Sequence, residues 1–467
     1  MGLSAREIAA TTGGIVAAGD PDVRCTSFAI DSRVLVPGAC FVALVAARDG
    51  HDFVHDAFAR GAAIALVGRD LTGVAPGAGQ AVVRVADPLA ALQHLAATAR
   101  ATMTAGPVVG ITGSVGKTGT KDLTAAALAP RFVVHASPGS FNNEAGLPLT
   151  LLHAPDGSEA VVLEMGARFP GNIAELCVIA RPTVGVITKI GLAHVGLLGG
   201  PEGVARTKGE LLEALGASGL AVLDADDPFT PGLVTRTGAH VVLVTTREGN
   251  GDVHAHSITL DDELRPTFLL DTPWGSGPVR LAVRGAHQVT NAALAAAVAL
   301  AHGVPFAEMA ESLATVEPAP WRMEVSRAPS GALVIDDTYN ANPSSTTAAV
   351  GALAHVATTG RRIAVLGEML ELGDHSEAEH ADLGRLVAER GIDVLVVVGA
   401  EAAPTGAAAR AGGVEVYEAT DAAAAATLVA GLVHDRDVVL VKGSRAVGLE
   451  AVARALTRTG IDGEVVA

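Results

Sequence analysis

The run Gly113-Ser114-Val115-Gly116-Lys117-Thr118-Gly119 lies between a short apolar segment, Pro107-Val108-Val109, and an alanine-rich one, Lys121 to Ala129. It therefore reads as strand, glycine loop and helix. Backbone N–H groups of such a loop converge on one anion, the helix start adds roughly half a positive charge, and Lys117 supplies a mobile full one. Thr118 carries the hydroxyl that a nucleotide-bound magnesium ion takes. The commoner pattern has a glycine six places before the lysine; Ile111 stands there, so this is the shorter variant. The plain alternative is a glycine-rich turn with a surface lysine, and the flanking strand and helix favour phosphate binding over it.

Other polar residues fall at the ends of apolar runs. Glu164 closes Val161-Val162-Leu163, where a carboxylate reaches a magnesium ion held by Thr118; the alternative is a helix cap. His194 follows the run ending at Ile190. Lys208 is read as opening a helix over Gly209 to Leu215, where the dipole disfavours its charge and lowers its pKa. A neutral amine there could take up carbon dioxide as a carbamate, a metal-ligating anion. Taken singly, His194 and Lys208 also fit solvated or satisfied core side chains. Asp336 and Asp337 end Leu333-Val334-Ile335; neighbours on an extended chain point to opposite sides, so one of them facing a ribose hydroxyl is the better reading than a catalytic pair. Asn291 could meet an adenine edge or pack between helices, and Arg322 stands at a hinge where it can bring charge to a phosphate on domain closure. Lys442-Gly443-Ser444-Arg445 follows the last strand and suits a carboxylate or phosphate. Asp31-Ser32-Arg33 is compatible with ordinary turn chemistry. His375 and His380, five apart, do not share a helix face, and Ser376 with Glu379 reads as a capping box rather than part of a zinc site.

The elements that must position these groups follow from the apolar pattern. A chain of 467 residues implies about three domains. Residues 1–105 read as a small mixed α/β unit with a helix at Ser4 to Ala10 and strands at Cys25 to Ile30 and Ala39 to Val45. Residues 106–317 carry the runs Val108 to Thr112, Ala160 to Glu164, Val184 to Lys189, Leu220 to Leu223 and His240 to Thr245. Runs without alternation imply a sheet covered on both faces, hence mostly parallel, with ligands at the carboxyl ends of its strands. Residues 318–467 show the same pattern at Leu333 to Ile335, Ile363 to Leu366, Val394 to Val398 and Val438 to Val441, a Rossmann-like unit without the Gly-x-Gly-x-x-Gly fingerprint. The fold class is α/β, with a central P-loop sheet between the two other domains.

A net charge of −17 and 3% aromatic residues argue against nucleic acid as partner, so any phosphate must be met by a local positive pocket. Cys25, Cys40 and Cys177 have no paired spacing, which fits a reducing cytoplasm. The first residues, Met1 to Arg6, suggest neither signal core nor myristoylation, and Ala292 to Ala301 is too short to span a bilayer, so no membrane insertion is expected.

Together these motifs resemble the Mur ligase family. The carrying residues are the Thr112 to Thr118 loop, Asn142-Asn143-Glu144-Ala145-Gly146-Leu147-Pro148, Leu163-Glu164-Met165-Gly166, Ala193-His194, Lys208-Gly209-Glu210 and Lys442-Gly443-Ser444-Arg445. The runs from Asp336 to Pro343 and Leu366 to Gly373 complete the family's order across all three units. Tyr339-Asn340-Ala341-Asn342-Pro343 and Gly367-Glu368-Met369 point within the family to the activity that joins D-alanyl-D-alanine to UDP-N-acetylmuramoyl-tripeptide. The resemblance implies an ATP-dependent ligase of peptidoglycan precursor synthesis that acts through an acyl phosphate, in the cytoplasm and as a monomer. It implies Lys117 on the β/γ-phosphates, Thr118 and Glu164 on one magnesium ion, and His194 with a carbamylated Lys208 on a second. Asn291 would meet adenine, Asp337 ribose and Arg322 the γ-phosphate. Asn142 or Asn143 would lie near the reacting groups, with Asp31, Ser32 and Arg33 at the uridine end. Two positions depart from the family's habit: Gln288 stands where Asn is commoner, and Trp321 where Gly commonly precedes the arginine.

Three rivals remain at this level. A sister or folylpolyglutamate-type ligase would add another amino acid. A regulatory P-loop NTPase would hydrolyse nucleotide without any small carboxylate. A nucleotide-binding scaffold would not turn over, against the intact Lys117, Glu164, His194 and Lys208.

Overall fold

The computed structural model describes residues 2–457 except 74, 104–105, 192–194 and 250. Three large sheets organise the chain, beside a two-stranded one that pairs Leu3–Ser4 with Arg24–Cys25. The first has the order Ile15–Gly19, Ala81–Arg84, Ile64–Val67, Cys40–Val42, Phe28–Ala29, antiparallel at its first pair and parallel elsewhere. The first helix, Ala5–Thr12, starts with a capping box between Ser4 and Glu7 and stops at Gly13 in the left-handed region. The expected strand Cys25 to Ile30 is two short pieces, Arg24–Cys25 and Phe28–Ala29, in different sheets.

The central sheet has nine strands in the order Gly275–Arg280, Pro266–Thr272, Val253–Leu260, His240–Thr245, Leu220–Asp224, Val184–Ile187, Val108–Thr112, Ala160–Glu164, Val134–Ala136. Its strands from Val134–Ala136 to Val253–Leu260 run parallel, and an antiparallel ribbon over Val253–Arg280 extends one side. Every residue of Val108–Thr112, Ala160–Glu164 and Leu220–Asp224 is buried, as a sheet covered on both faces requires. The alanine-rich helix His287–Ala301 packs along the helix Lys117–Leu128; its small side chains let the two backbones approach, and their buried residues share the main core with the sheet.

The third sheet has six strands in the order Glu324–Arg327, Leu333–Asp336, Val438–Lys442, Arg362–Gly367, Val394–Val398, Glu415–Ala419, all parallel except the first. The last strand in sequence is inserted between the second and third, so Asp336 and Lys442 end side by side. The helix around Lys208 spans Pro201–Glu213, so this lysine sits within the helix and not at its start. Among the described residues no helix is long and apolar enough to cross a membrane.

Candidate active site

The strand Val108–Thr112 feeds its chain into the glycine loop, and the helix Lys117–Leu128 leaves it. Gly113 has φ 147° and Gly116 φ 86°, in the region L side chains avoid. A Cβ on Gly113 would lie 2.1 Å from Thr188 Oγ1, and one on Gly116 2.7 Å from Asn291 Oδ1, so both glycines are sterically required. Lys117 Nζ donates to the carbonyls of Gly113 (2.8 Å) and Ser114 (3.4 Å). Burial lowers its pKa, with Glu164 acting in the opposite sense.

Thr118 Oγ1 donates to Glu164 Oε2 at 2.7 Å and accepts from Arg322 Nη2 at 3.0 Å. Asn142 Nδ2 donates to the other carboxylate oxygen, Oε1, at 2.7 Å. Hydroxyl, carboxylate, amide and guanidinium thus meet at the foot of the loop, drawn from four separate stretches of chain. Above them opens a cavity of about 460 Å³ between the central and third sheets. Ser114 to Gly119, Asn142, Glu164, Asn291, Arg322, Asp337 and Lys442 all line it. Asn291 Nδ2 donates to Gln288 Oε1 at 2.9 Å, so the residue that departs from the family's habit orients the one expected at adenine.

Asp336 turns away from the cavity and accepts from the N–H (3.1 Å) and hydroxyl (2.6 Å) of Thr338. Asp337 faces the cavity, but its Oδ2 takes the Lys442 ammonium at 2.6 Å and its Oδ1 the Met323 N–H at 3.2 Å. Lys442 also donates to the Asn340 carbonyl at 2.8 Å. Its charge is therefore matched within the protein, where the sequence suggested a cation open to an incoming anion.

Lys208 is buried to 2% exposure. Burial, together with the nearby charge of Lys117, brings its pKa down to about 7. The cause is desolvation in the middle of a helix, which replaces the helix-dipole explanation. His194 lies outside the described residues. Asn143 does not line the cavity: its Oδ1 accepts from the N–H groups of Ala145 (3.3 Å) and Gly146 (2.8 Å) at the start of the helix Gly146–Leu152.

Asp31, Ser32 and Arg33 lie on the first domain away from this cavity. Arg33 grips Asp31 at 2.7 Å, holding that carboxyl down at about 2, and Ser32 donates to Asp56 at 2.7 Å. Ser444 Oγ accepts from the Leu370 N–H at 2.9 Å, and Arg445 stacks on the Trp321 ring at 4.3 Å while pairing with Glu450. The capping box at Ser376 is not formed, because the helix Ser376–Glu389 already includes Ser376. His380 is buried and its ring bonds Ser376 O (2.8 Å) and Met369 N (3.1 Å), a structural role.

Among the cavity or bracing residues to which the sequence gave no site role are Lys121, Lys189, Asp224 and Tyr339, the last named there only as part of a motif. Lys121 is buried and donates to the carbonyls of Ser137 (2.7 Å) and Gly139 (3.0 Å). Lys189, Asp224 and Tyr339 line the cavity itself. Burial raises the Asp224 carboxyl to about 6. A usable signal existed, since only five of the 33 basic residues are lysine. Lys117, Lys189 and Lys442 line the cavity, Lys121 braces the helix that follows the loop, and Lys208 lies close enough to feel the charges of Lys117 and Glu164.

The donor set suits a magnesium nucleotide. A hydroxyl and a carboxylate oxygen in contact are hard ligands, and magnesium takes one or two carboxylates with phosphate oxygens and water.

Residues 111–299 match the Mur ligase middle domain, and residues 321–445 match the Mur ligase, glutamate ligase domain. The chain belongs to the Mur ligase family of three-domain α/β proteins. A Mycobacterium tuberculosis relative, named UDP-N-acetylmuramoyl-tripeptide--D-alanyl-D-alanine ligase, is 42% identical, with 99% of each chain covered. A crystal structure of MurF from Acinetobacter baumannii superposes with a TM-score of 0.87 at 33% identity, covering 98% of this chain and 99% of that one. The MurF ligase of Thermotoga maritima, solved in complex with ADP, gives a TM-score of 0.79 at 30% identity over 92% of this chain and 96% of that one.

Proposed function

We infer that the protein is an ATP-dependent ligase that joins D-alanyl-D-alanine to UDP-N-acetylmuramoyl-tripeptide, releasing ADP and phosphate, in cytoplasmic peptidoglycan precursor synthesis. The observation that carries this reading, given full-length relatives with that printed activity, is the contact of Thr118 with Glu164 at the foot of a glycine loop whose lysine donates to the Gly113 and Ser114 carbonyls. We assign residues 1–105 to the UDP-substrate, 106–317 to ATP and 318–467 to the ligase step, in a monomer.

A carboxylate is a poor electrophile. Its oxygen attacks the γ-phosphorus of ATP, ADP leaves, and the resulting acyl phosphate is attacked by the dipeptide amine, which expels phosphate as the amide forms. Repulsion between the incoming carboxylate and the γ-phosphate opposes the first step, and Lys117 and Arg322 place positive charge where it is needed. Asn142 holds Glu164 in orientation from its far side. Asn291 lies at the adenine end and Asp337 at the ribose. Thr118 and Glu164 would hold one magnesium ion, and His194 with a carbamylated Lys208 a second. Such ions supply charge neutralisation and orient the phosphates. A Lys208 pKa of about 7 leaves a large neutral fraction at neutral pH, the form that takes up carbon dioxide. Asp31, Ser32 and Arg33 serve the uridine end, and Ser444 and Arg445 shape the dipeptide end through Leu370 and Trp321.

Phosphate release from ATP should require both UDP-N-acetylmuramoyl-tripeptide and D-alanyl-D-alanine. Equal release with either withheld supports the regulatory NTPase reading, and release with a different amino acid in place of the dipeptide supports a sister ligase.

A further inference from the structure

Arg322 reaches the glycine loop from a turn held in an uncommon conformation. Its neighbours Trp321 and Met323 have φ 61° and 52°, left-handed values that bulky side chains rarely adopt. This accounts for the habit of glycine before the arginine, and something here must hold a tryptophan in its place. The Trp321 ring lies under Arg445 at 4.3 Å and Arg454 at 5.9 Å, and the turn is tied to the third sheet by Met323 N–H to Asp337 and by Tyr339 N–H to the Trp321 carbonyl at 3.1 Å.

Tyr339 does more than close that turn. The Arg322 guanidinium lies 4.0 Å from the centre of the Tyr339 ring, so the ring is the platform on which the arginine extends to Thr118. The phenol oxygen of the same side chain lies 2.5 Å from Ser140 Oγ, on the loop over residues 137–145 of the central domain. That loop carries Asn142, whose amide holds Glu164 and whose carbonyl accepts from Gly166 N–H at 2.7 Å. Lys121 fastens the near end of the loop through Ser137 and Gly139, and Tyr339 fastens it from the third domain.

We propose that Tyr339 is a positioning residue that couples seating of the third domain to both halves of the phosphate site: its ring sets Arg322 on Thr118, and its hydroxyl sets Ser140 and hence Asn142 on Glu164. The proposal rests on the ligase reading and adds a device to it. The two contacts are separable, because phenylalanine keeps the ring and deletes only the hydroxyl. Ser140 approaches the phenol from the other side, so Ser140→Ala deletes the same hydrogen bond from the opposite partner.

The test measures phosphate release with both substrates present, comparing Tyr339→Phe, Ser140→Ala, the double variant and Tyr339→Leu. Tyr339→Phe and Ser140→Ala should each lower kcat about tenfold, with KM for ATP within about twofold of wild type. The double variant should also lose about tenfold, because one bond cannot be deleted twice. Tyr339→Leu should in addition raise KM for ATP as Arg322 loses its platform. A purely structural role would lower melting temperature without that split or that non-additivity. Wild-type kcat in Tyr339→Phe, or losses that multiply in the double variant, would overturn the proposal. Should the wild-type protein itself release no acceptor-dependent phosphate, the ligase reading falls and takes the proposal with it, an outcome distinct from either of those.

Discussion

The central and third domains each end a buried parallel strand near a lysine and a carboxylate, yet they use the pair in opposite ways. In the central domain, among the described residues, Lys117 donates only to carbonyls and Glu164 is engaged by a hydroxyl, an amide and no lysine, so neither charge is cancelled by contact with the other. In the third domain Lys442 and Asp337 close on each other at 2.6 Å. The first arrangement leaves both charges open to an incoming group, which on the proposed reading are phosphates for Lys117 and a metal ion for Glu164. The second builds a rigid floor. A basic residue at a strand end is an anion site only where the fold withholds its partner, and the same rule separates Lys208 and Asp224, whose pKa values burial moves toward the neutral form, from a paired group such as Asp31, which Arg33 holds ionised.

The comparison breaks most visibly at Lys117. Lys117→Ala should lower acceptor-dependent phosphate release about 10⁴-fold while leaving thermal unfolding close to wild type, because Glu164, the nearby buried carboxylate, keeps its hydrogen bonds from Thr118 and Asn142. A large loss of stability there would erase the distinction between the two lysines. Lys208→Ala should lower turnover about 10³-fold, and added bicarbonate should not restore it. Near-normal turnover would remove the carbamate from the account.

Lys442→Met tests the other side: leaving the partly buried Asp337 without its cation should destabilise the protein by about 3 kcal/mol in denaturant unfolding. A value near zero would mean that the pair is not structural. Asp224 sharpens the rule for a carboxylate with no cation in contact among the described residues, where the nearby Lys189 charge is outweighed by burial. Its folded pKa of about 6 lies above the usual 3.8, so the folded state holds the proton more tightly and loses stability as pH rises between those values. Asp224→Asn should therefore stabilise the protein by up to about 3 kcal/mol above pH 6, a gain that disappears below about pH 4. A pH-independent effect would show that burial is not the cause.

Much of the architecture was legible in the residues. Five central and four third-domain strands are continuous apolar runs, and the structure places a strand at each, with ends moved by a residue or two. In the central and third domains the missed strands sit at sheet edges or in the ribbon, whereas Ile64–Val67 and Ala81–Arg84 of the first domain, also not read, are interior strands of their sheet. Glu324–Arg327 is polar, Glu415–Ala419 alternates, Val134–Ala136 has three residues, and the ribbon from Val253 to Arg280 has one face in solvent. Edge strands carry half the apolar signal of central ones because only one face needs it. The glycine loop was equally plain, since φ values of 147° and 86° leave little choice of residue.

The amino-acid order by itself determined the α/β pattern, the phosphate loop and the family, because strand burial, helix starts and left-handed turns are local demands that leave local marks. Tertiary structure decided which charges are free. The bonds joining Lys442 to Asp337 and Tyr339 to Ser140 cross 105 and 199 residues of chain, and nothing near either partner announces the other. A charge is cancelled or left active by what stands within a few ångströms of it, and that distance is set by how the sheets meet.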